Sequence, residues 1–314
     1  MSAILLAISG WEPQAWLERF VASANGREIR LWPETGDPAA IDYACVWRQP
    51  AGLLATLLKL KAIFSLGAGV DHLLTDAALP NVPIVRIVDP DLTRRMTGYI
   101  ALHVLLHQRK MKLYEAQQRT RAWRDHCEPP PDQLRVGILG MGVLGQAAAE
   151  ALRELGFKVA GFSRTPKAVP GVETFSGEAG MSAFLGQSDI LVCLLPLTAE
   201  TRGMLRYDLF RRLARDGALG GPVLINAGRG GLQVEADILR ALDDGTLAGA
   251  SLDVFEREPL PETSPFWDHP KVYVTPHNAA SSDPNALVKN VMNQIERFER
   301  GLALEHVVDR KLGY

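Results

Sequence analysis

The sequence predicts an α/β protein of two doubly wound parallel-sheet domains. Three observations carry this. Short, almost continuously apolar runs recur along the chain, as strands buried on both faces require. Stretches with helical spacing lie between them, which implies right-handed βα crossovers. The pattern is interrupted once, by a long proline-free stretch from Met96 to Trp123 and then three consecutive prolines, Pro129 to Pro131, so it forms two series.

In the first series the runs Ala3–Ile8, Tyr43–Trp47, Ala62–Leu66 and Ile84–Val88 read as strands, and Gln14–Ser23 and Gly52–Leu60 as helices. The stretch from Met96 to Trp123 reads as one long helix or two in sequence. The second series begins at Arg135. Its strands are expected at Val136–Leu139, Val159–Phe162, Ile190–Leu195, Val223–Ala227, Gly249–Val254 and Val272–Thr275, and a last helix at Asp283–Arg300.

Composition narrows the function. With 314 residues, 47% hydrophobic and 22% charged, the chain can bury two cores and is not a disordered one. A net charge of −2 provides no field for nucleic acid or for an anionic membrane. Cys45, Cys127 and Cys193 are scattered without a CxxC pair, which reads as reduced thiols rather than a disulfide framework. The N-terminal MSAILLAISG lacks a basic leader and reads as a first strand, and no apolar run reaches the length of a membrane span. A cytoplasmic protein is expected.

The most informative stretch is VGILGMGVLGQAAAEALRELGFKVAGFSR. Its turn, Gly140-Met141-Gly142-Val143-Leu144-Gly145, is a GxGxxG between an apolar strand and an alanine-rich helix, the fingerprint of a dinucleotide site. Gly140 permits the tight turn, Gly142 lets a pyrophosphate approach, and Gly145 lets the helix pack on the strand. The helix N-terminus offers N–H groups to the phosphates. At the end of the next strand, where an NAD site places a carboxylate, stand Ser163, Arg164 and Thr165, with Lys167 beyond. These residues suit a 2′-phosphate, so NADPH is expected over NADH.

Three polar residues follow the ends of later strands: Arg229 in LINAGRG, Glu258 in LDVFEREPLP and His277 in VTPHNAA. In an open α/β sheet such positions border the ligand crevice. Together they suit hydride transfer to a 2-oxo acid. Arg229 would hold the carboxylate and carbonyl oxygen, His277 would give the oxygen a proton, and Glu258 would hold the imidazole and favour its cationic form. No HExxH, cysteine cluster or paired histidine suggests a metal.

These segments, with SLGAGVDHLL at 65–74 and LLPLTAETRGML at 194–205, resemble the D-isomer-specific 2-hydroxyacid dehydrogenase family. WRQP at 47–50, FSRTPK at 162–167, SPFWDHP at 264–270 and the terminal VDRKLGY are most similar to its glyoxylate/hydroxypyruvate reductase A group. The resemblance implies a flavodoxin-like substrate domain from residues 1–97 plus 283–314, into which a Rossmann domain, residues 98–282, is inserted. It implies a homodimer paired through the segment after Met96. It also implies that Gly67, Ala68 and Gly69 cradle the substrate carboxylate with backbone N–H groups, while Trp47 walls the pocket. Asp253 would contact the nicotinamide carboxamide, and Leu195, Pro196, Ala227 and Gly228 would line the cofactor. The chain departs from the family at Thr97 and Gly98, where many members carry Ala-Glu, and at Asn278, where an apolar residue is usual. The expected reaction is NADPH-preferring reduction of small 2-oxo acids, glyoxylate to glycolate and hydroxypyruvate to glycerate. Two alternatives remain open: another 2-hydroxy acid such as phosphoglycerate, and a dinucleotide-sensing protein without catalysis.

Overall fold

The structure is a computed structural model and describes residues 3–281 and 283–314. The chain divides into two compact units. One takes the chain up to Leu92 together with the segment after Ser281; the other is Thr93–Ser281. The sequence put these divisions at 97/98 and 282/283.

The first unit holds β1 (Ala3–Ile8), α1 (Pro13–Ala22), β2 (Glu28–Leu31), β3 (Ile41–Trp47), β4 (Ala62–Ser65), α2 (Asp71–Leu74) and β5 (Ile84–Val85). The strands pair in parallel in the order β2-β1-β3-β4-β5, the flavodoxin-like order. Every residue of β1 is buried, which its unbroken apolar run requires of a central strand. Pro13 opens α1 at a first-turn position, where a missing N–H costs nothing. The C-terminal helix, Pro284–Glu299, returns to this unit because its apolar stripe demands cover. Leu287, Val288, Val291, Met292 and Ile295 join Phe20, Tyr43 and Phe64 in one core cluster.

One expected helix is absent. Residues 52–60 form only a short 3₁₀ turn, Leu53–Thr56, entered through a left-handed Gly52 (φ 75°). The buried leucines there, Leu54, Leu57 and Leu60, recur every third residue, the period of a 3₁₀ rather than an α-helix.

The second series begins with α3 (Pro90–Gln108), which spans the division, and α4 (Met111–Thr120), separated by Lys110 in the left-handed region. Then follow β6 (Arg135–Leu139), α5 (Val143–Glu154), β7 (Lys158–Phe162), β8 (Glu173–Phe175), α6 (Gly177–Gly186), β9 (Ile190–Cys193), α7 (Tyr207–Phe210), β10 (Val223–Asn226), α8 (Glu235–Asp243), β11 (Gly249–Leu252) and β12 (Val272–Val274). The sheet is parallel throughout, in the order β12-β11-β10-β9-β6-β7-β8. The strand order reverses between β6 and β9, and a ligand crevice lies beyond the carboxyl ends at such a point. Apolar clusters cover both faces of the sheet, one built on Leu139, Leu191 and Leu224, the other on Val136, Val192 and Ile225. No helix among the described residues is long and apolar enough to cross a membrane.

Candidate active site

The glycine-rich turn sits between β6 and α5, at the switch point. Gly140 is left-handed at φ 105°, and a Cβ there would lie 2.9 Å from the carbonyl oxygen of Leu194. A Cβ at Gly145 would lie 1.9 Å from the carbonyl oxygen of Gly140. Both glycines are therefore required by the fold. Gly142 is different: it precedes α5 in an extended conformation, and a Cβ there would meet nothing within 4 Å. The space it leaves adjoins the free N–H groups of α5, where the Cβ-less cradle fits a pyrophosphate. Met141 is buried, its sulfur filling the place of a Cβ on Gly161. Val143 is exposed and Leu144 half-buried.

Beyond β7, Ser163 donates through its hydroxyl to the Thr165 carbonyl at 2.7 Å, which fixes the turn. The Arg164 guanidinium pairs with the Glu200 carboxylate at 3.2 Å. The ammonium of Lys167 donates to the Met141 carbonyl at 2.8 Å, tying this loop to the glycine turn. Leu195 and Pro196 follow β9 and are half-buried; Thr201 donates to the Pro196 carbonyl at 2.7 Å. Ala227 and Gly228 follow β10, and a Cβ at Gly228 would lie 2.9 Å from the Leu195 carbonyl oxygen.

The three polar residues proposed from the sequence all lie in this unit. Glu258 and His277 meet directly: His277 Nδ1 lies 2.8 Å from Glu258 Oε2. The other oxygen of Glu258 accepts the Phe255 N–H at 3.2 Å, so the carboxylate is held by its own loop. His277 itself adopts a left-handed backbone at φ 52°. Arg229 stands on the loop after β10. That loop is braced by a buried amide pair: Asn226 donates to Gln233 Oε1 at 2.9 Å and to the Arg229 carbonyl at 3.2 Å. Gln233 in turn donates to the Val254 carbonyl at 3.0 Å. Gly230 presses against Phe255, where a Cβ would lie 1.8 Å from the carbonyl oxygen. The Arg229 loop and the Glu258 loop are thus locked together.

Asp253 is buried, and its carboxylate is already engaged. It accepts from the Thr275 hydroxyl at 2.7 Å, the Asn278 N–H at 2.9 Å and the Ala279 N–H at 3.0 Å. The sequence reading missed Asn226, Gln233, Thr275 and Tyr99 as parts of the site; the first two are buried and the last two half-buried, and their hydrogen bonds identify them. In the other unit, Trp47 ends β3 and stacks on Trp11, ring centroids 4.8 Å apart. It covers Gly67, where a Cβ would lie 2.2 Å from the indole. The turn Gly67-Ala68-Gly69 is pinned by Ser65, whose hydroxyl lies 3.0 Å from the Gly67 carbonyl. Among the described residues no group of three or more His, Cys, Asp or Glu is placed to hold a metal ion.

The family profile of the D-isomer specific 2-hydroxyacid dehydrogenase, NAD binding domain, matches residues 101–279. A glyoxylate/hydroxypyruvate reductase A of Serratia proteamaculans (strain 568) is 40% identical over 307 residues, covering 96% of each chain. Among solved structures, the NADPH-dependent glyoxylate/hydroxypyruvate reductase of Sinorhizobium meliloti, in complex with NADP and sulfate, is 51% identical and superposes with a TM-score of 0.95 over 100% of both chains. A probable 2-hydroxyacid dehydrogenase of Rhizobium etli, in complex with NADP, HEPES and tartaric acid, is 44% identical with a TM-score of 0.95, covering 100% of this chain and 99% of that one.

Proposed function

The chain belongs to the D-isomer-specific 2-hydroxyacid dehydrogenases, and on that premise we propose that it reduces small 2-oxo acids, glyoxylate and hydroxypyruvate, with NADPH. The observation that carries the chemistry is the Glu258–His277 pair at 2.8 Å, in the unit that holds the dinucleotide turn.

Gly140, Gly142 and Gly145 with the N-terminus of α5 hold the pyrophosphate, and Arg164 takes the 2′-phosphate. The loop residues Ser163, Thr165 and Lys167 shape that pocket. Bound there, the reduced nicotinamide supplies the hydride. Arg229 orients the 2-oxo acid through its carboxylate and carbonyl oxygen. Its planar fork suits both at once. Glu258 accepts a hydrogen bond from the Nδ1–H of His277, which leaves the Nε2–H of the imidazolium to face the carbonyl oxygen. As negative charge grows on that oxygen, His277 gives it the Nε2 proton and the product leaves as a 2-hydroxy acid. In the first unit, the N–H groups of Gly67, Ala68 and Gly69 are assigned to a carboxylate, and Trp47 to the wall that keeps accepted side chains small.

The protein works as a homodimer in the cytoplasm. The exposed Leu102, Leu113 and Trp123, on and just after α3 and α4, support pairing through that segment, and three free cysteines suit a reducing compartment. Sedimentation of the purified protein tests the pairing: a concentration-independent monomer would contradict it. A panel of 2-oxo acids run with NADPH and with NADH tests the activity. Glyoxylate and hydroxypyruvate with NADPH should turn over fastest; preference for phenylpyruvate or for NADH would overturn the assignment.

A further inference from the structure

A chain of hydroxyls leads from α3 to the backbone of His277. Tyr99 Oη lies 2.8 Å from Thr275 Oγ1, and Thr275 Oγ1 lies 2.7 Å from Asp253 Oδ1. A carboxylate can only accept, so the Thr275 hydroxyl donates to Asp253. Its single proton is then spent, and Tyr99 must donate to Thr275. Burial pushes the Tyr99 phenol up, so that proton stays in place at working pH.

Asp253 is 1% exposed and grips the following turn at several points. Its carboxylate oxygens accept the N–H groups of Asn278 and Ala279. Its main-chain carbonyl accepts the His277 N–H at 2.8 Å. Between those points His277 holds a left-handed backbone at φ 52°, a conformation uncommon outside glycine that persists only where neighbours over-determine it. The imidazole direction toward Glu258 depends on that backbone.

We infer that Tyr99 and Thr275 are positioning residues: through Asp253 they hold the His277 turn so that the imidazole stays aligned with Glu258 and the reacting carbonyl. The hydroxyl chain works as a unit, since each donor polarises the next. Without the Thr275 hydroxyl, Asp253 loses its only side-chain donor among the described hydrogen bonds, and the turn it organises relaxes. Misplacement of a proton donor by about 1 Å costs up to roughly a hundredfold in turnover. The inference rests on His277 being the proton donor of the proposed reaction.

The test is a series of Thr275→Val, Thr275→Ser and Tyr99→Phe, read in two ways. Steady-state kinetics with glyoxylate and NADPH give kcat, KM and the cofactor Kd. Proton NMR at low field reads the Nδ1–H that His277 shares with Glu258. Thr275→Val should lower kcat by about tenfold or more, with KM and the NADPH Kd within about twofold, and should broaden or erase the low-field signal. Thr275→Ser, which restores the hydroxyl, should recover both. Tyr99→Phe should lower kcat by about two- to fivefold. A folded Thr275→Val with unchanged kcat and signal would overturn the inference. So would a Thr275→Ser no better than Thr275→Val, because packing alone would then explain the loss. Should Thr275→Val not fold, Tyr99→Phe decides by the same two readings. A wild-type chain inactive on 2-oxo acids would contradict the proposed reaction instead, and the low-field signal would then decide the positioning chain by itself.

Discussion

Arg164 offers one guanidinium to two anions, the Glu200 carboxylate at 3.2 Å and the cofactor 2′-phosphate assigned to it. Arg164→Ala should weaken NADPH far more than NADH, because a charge-assisted contact is worth about 1.5–3 kcal/mol, or roughly ten- to a hundredfold. Equal losses for both cofactors would show that Arg164 does not read the phosphate. Glu200→Gln should act the other way. The Glu200 side chain is mostly solvated, and an exposed pair is worth at most about 1 kcal/mol, so NADPH should tighten by up to roughly fivefold with NADH unmoved. Titration of both cofactors against the variant checks this; weaker NADPH would make Glu200 a holder of Arg164 rather than a competitor. At this scale the sequence exposed the residues whose chemistry is unusual for their place: an arginine where a carboxylate is common, and a His, a Glu and an Arg after strand ends. It did not expose Tyr99, Asn226 or Gln233. Nothing local marks a tyrosine on a helix, or an amide at a strand end, as a partner of residues far along the chain. Lys167 was legible as a cation but not as the residue that bonds the Met141 carbonyl.

The turn between β6 and α5 separates two kinds of glycine. At Gly145 an added methyl collides with the Gly140 backbone, 1.9 Å from its carbonyl oxygen. Gly145→Ala should therefore destabilise the protein by about 1–3 kcal/mol or more, since backbone cannot step aside cheaply. At Gly142 the same methyl meets open space and an allowed backbone, φ −78°. Gly142→Ala should keep its melting temperature and lose NADPH affinity, because the methyl occupies the approach of the pyrophosphate. Thermal melts with and without NADPH distinguish the two; a Gly142→Ala protein that binds NADPH normally would remove this turn from the cofactor site. Most elements of the sheets were legible because buried parallel strands read as apolar runs. The short strands β2 and β8 were not. Both lie at sheet edges, where burial is partial, and β8 carries only Glu173, Thr174 and Phe175. No α-helix forms over residues 52–60, because the buried Leu54, Leu57 and Leu60 recur every third residue, a spacing that an apolar pattern does not separate from the α-helical one.

For the molecule as a whole, acid should be the weak side. His103 Nδ1 and His107 Nε2 both lie within 2.9 Å of the Ser251 hydroxyl, so one ring accepts its proton and the other donates. Burial lowers His103 to about 4 and His107 to about 3, against about 6.5 in the unfolded chain. Between pH 6.5 and those values the unfolded chain binds protons that the folded chain does not. Stability is therefore full above about pH 6.5 and falls as pH drops, by about 1.4 kcal/mol per pH unit for each ring. Denaturant midpoints at pH 7 and pH 5 measure the loss, and equal midpoints would contradict neutral, buried rings. In the proposed reaction the unit that carries the dinucleotide turn also carries the proton donor, His277, held by Glu258. NADPH oxidation by glyoxylate at saturating substrates, measured alongside NADPH binding in the wild type, His277→Ala and Glu258→Gln, tests that arrangement. His277→Ala should lose roughly 10²- to 10⁴-fold in kcat, the range of a general acid, and Glu258→Gln less, with cofactor affinity kept in both. A His277→Ala enzyme that turns over at the wild-type rate would contradict the account.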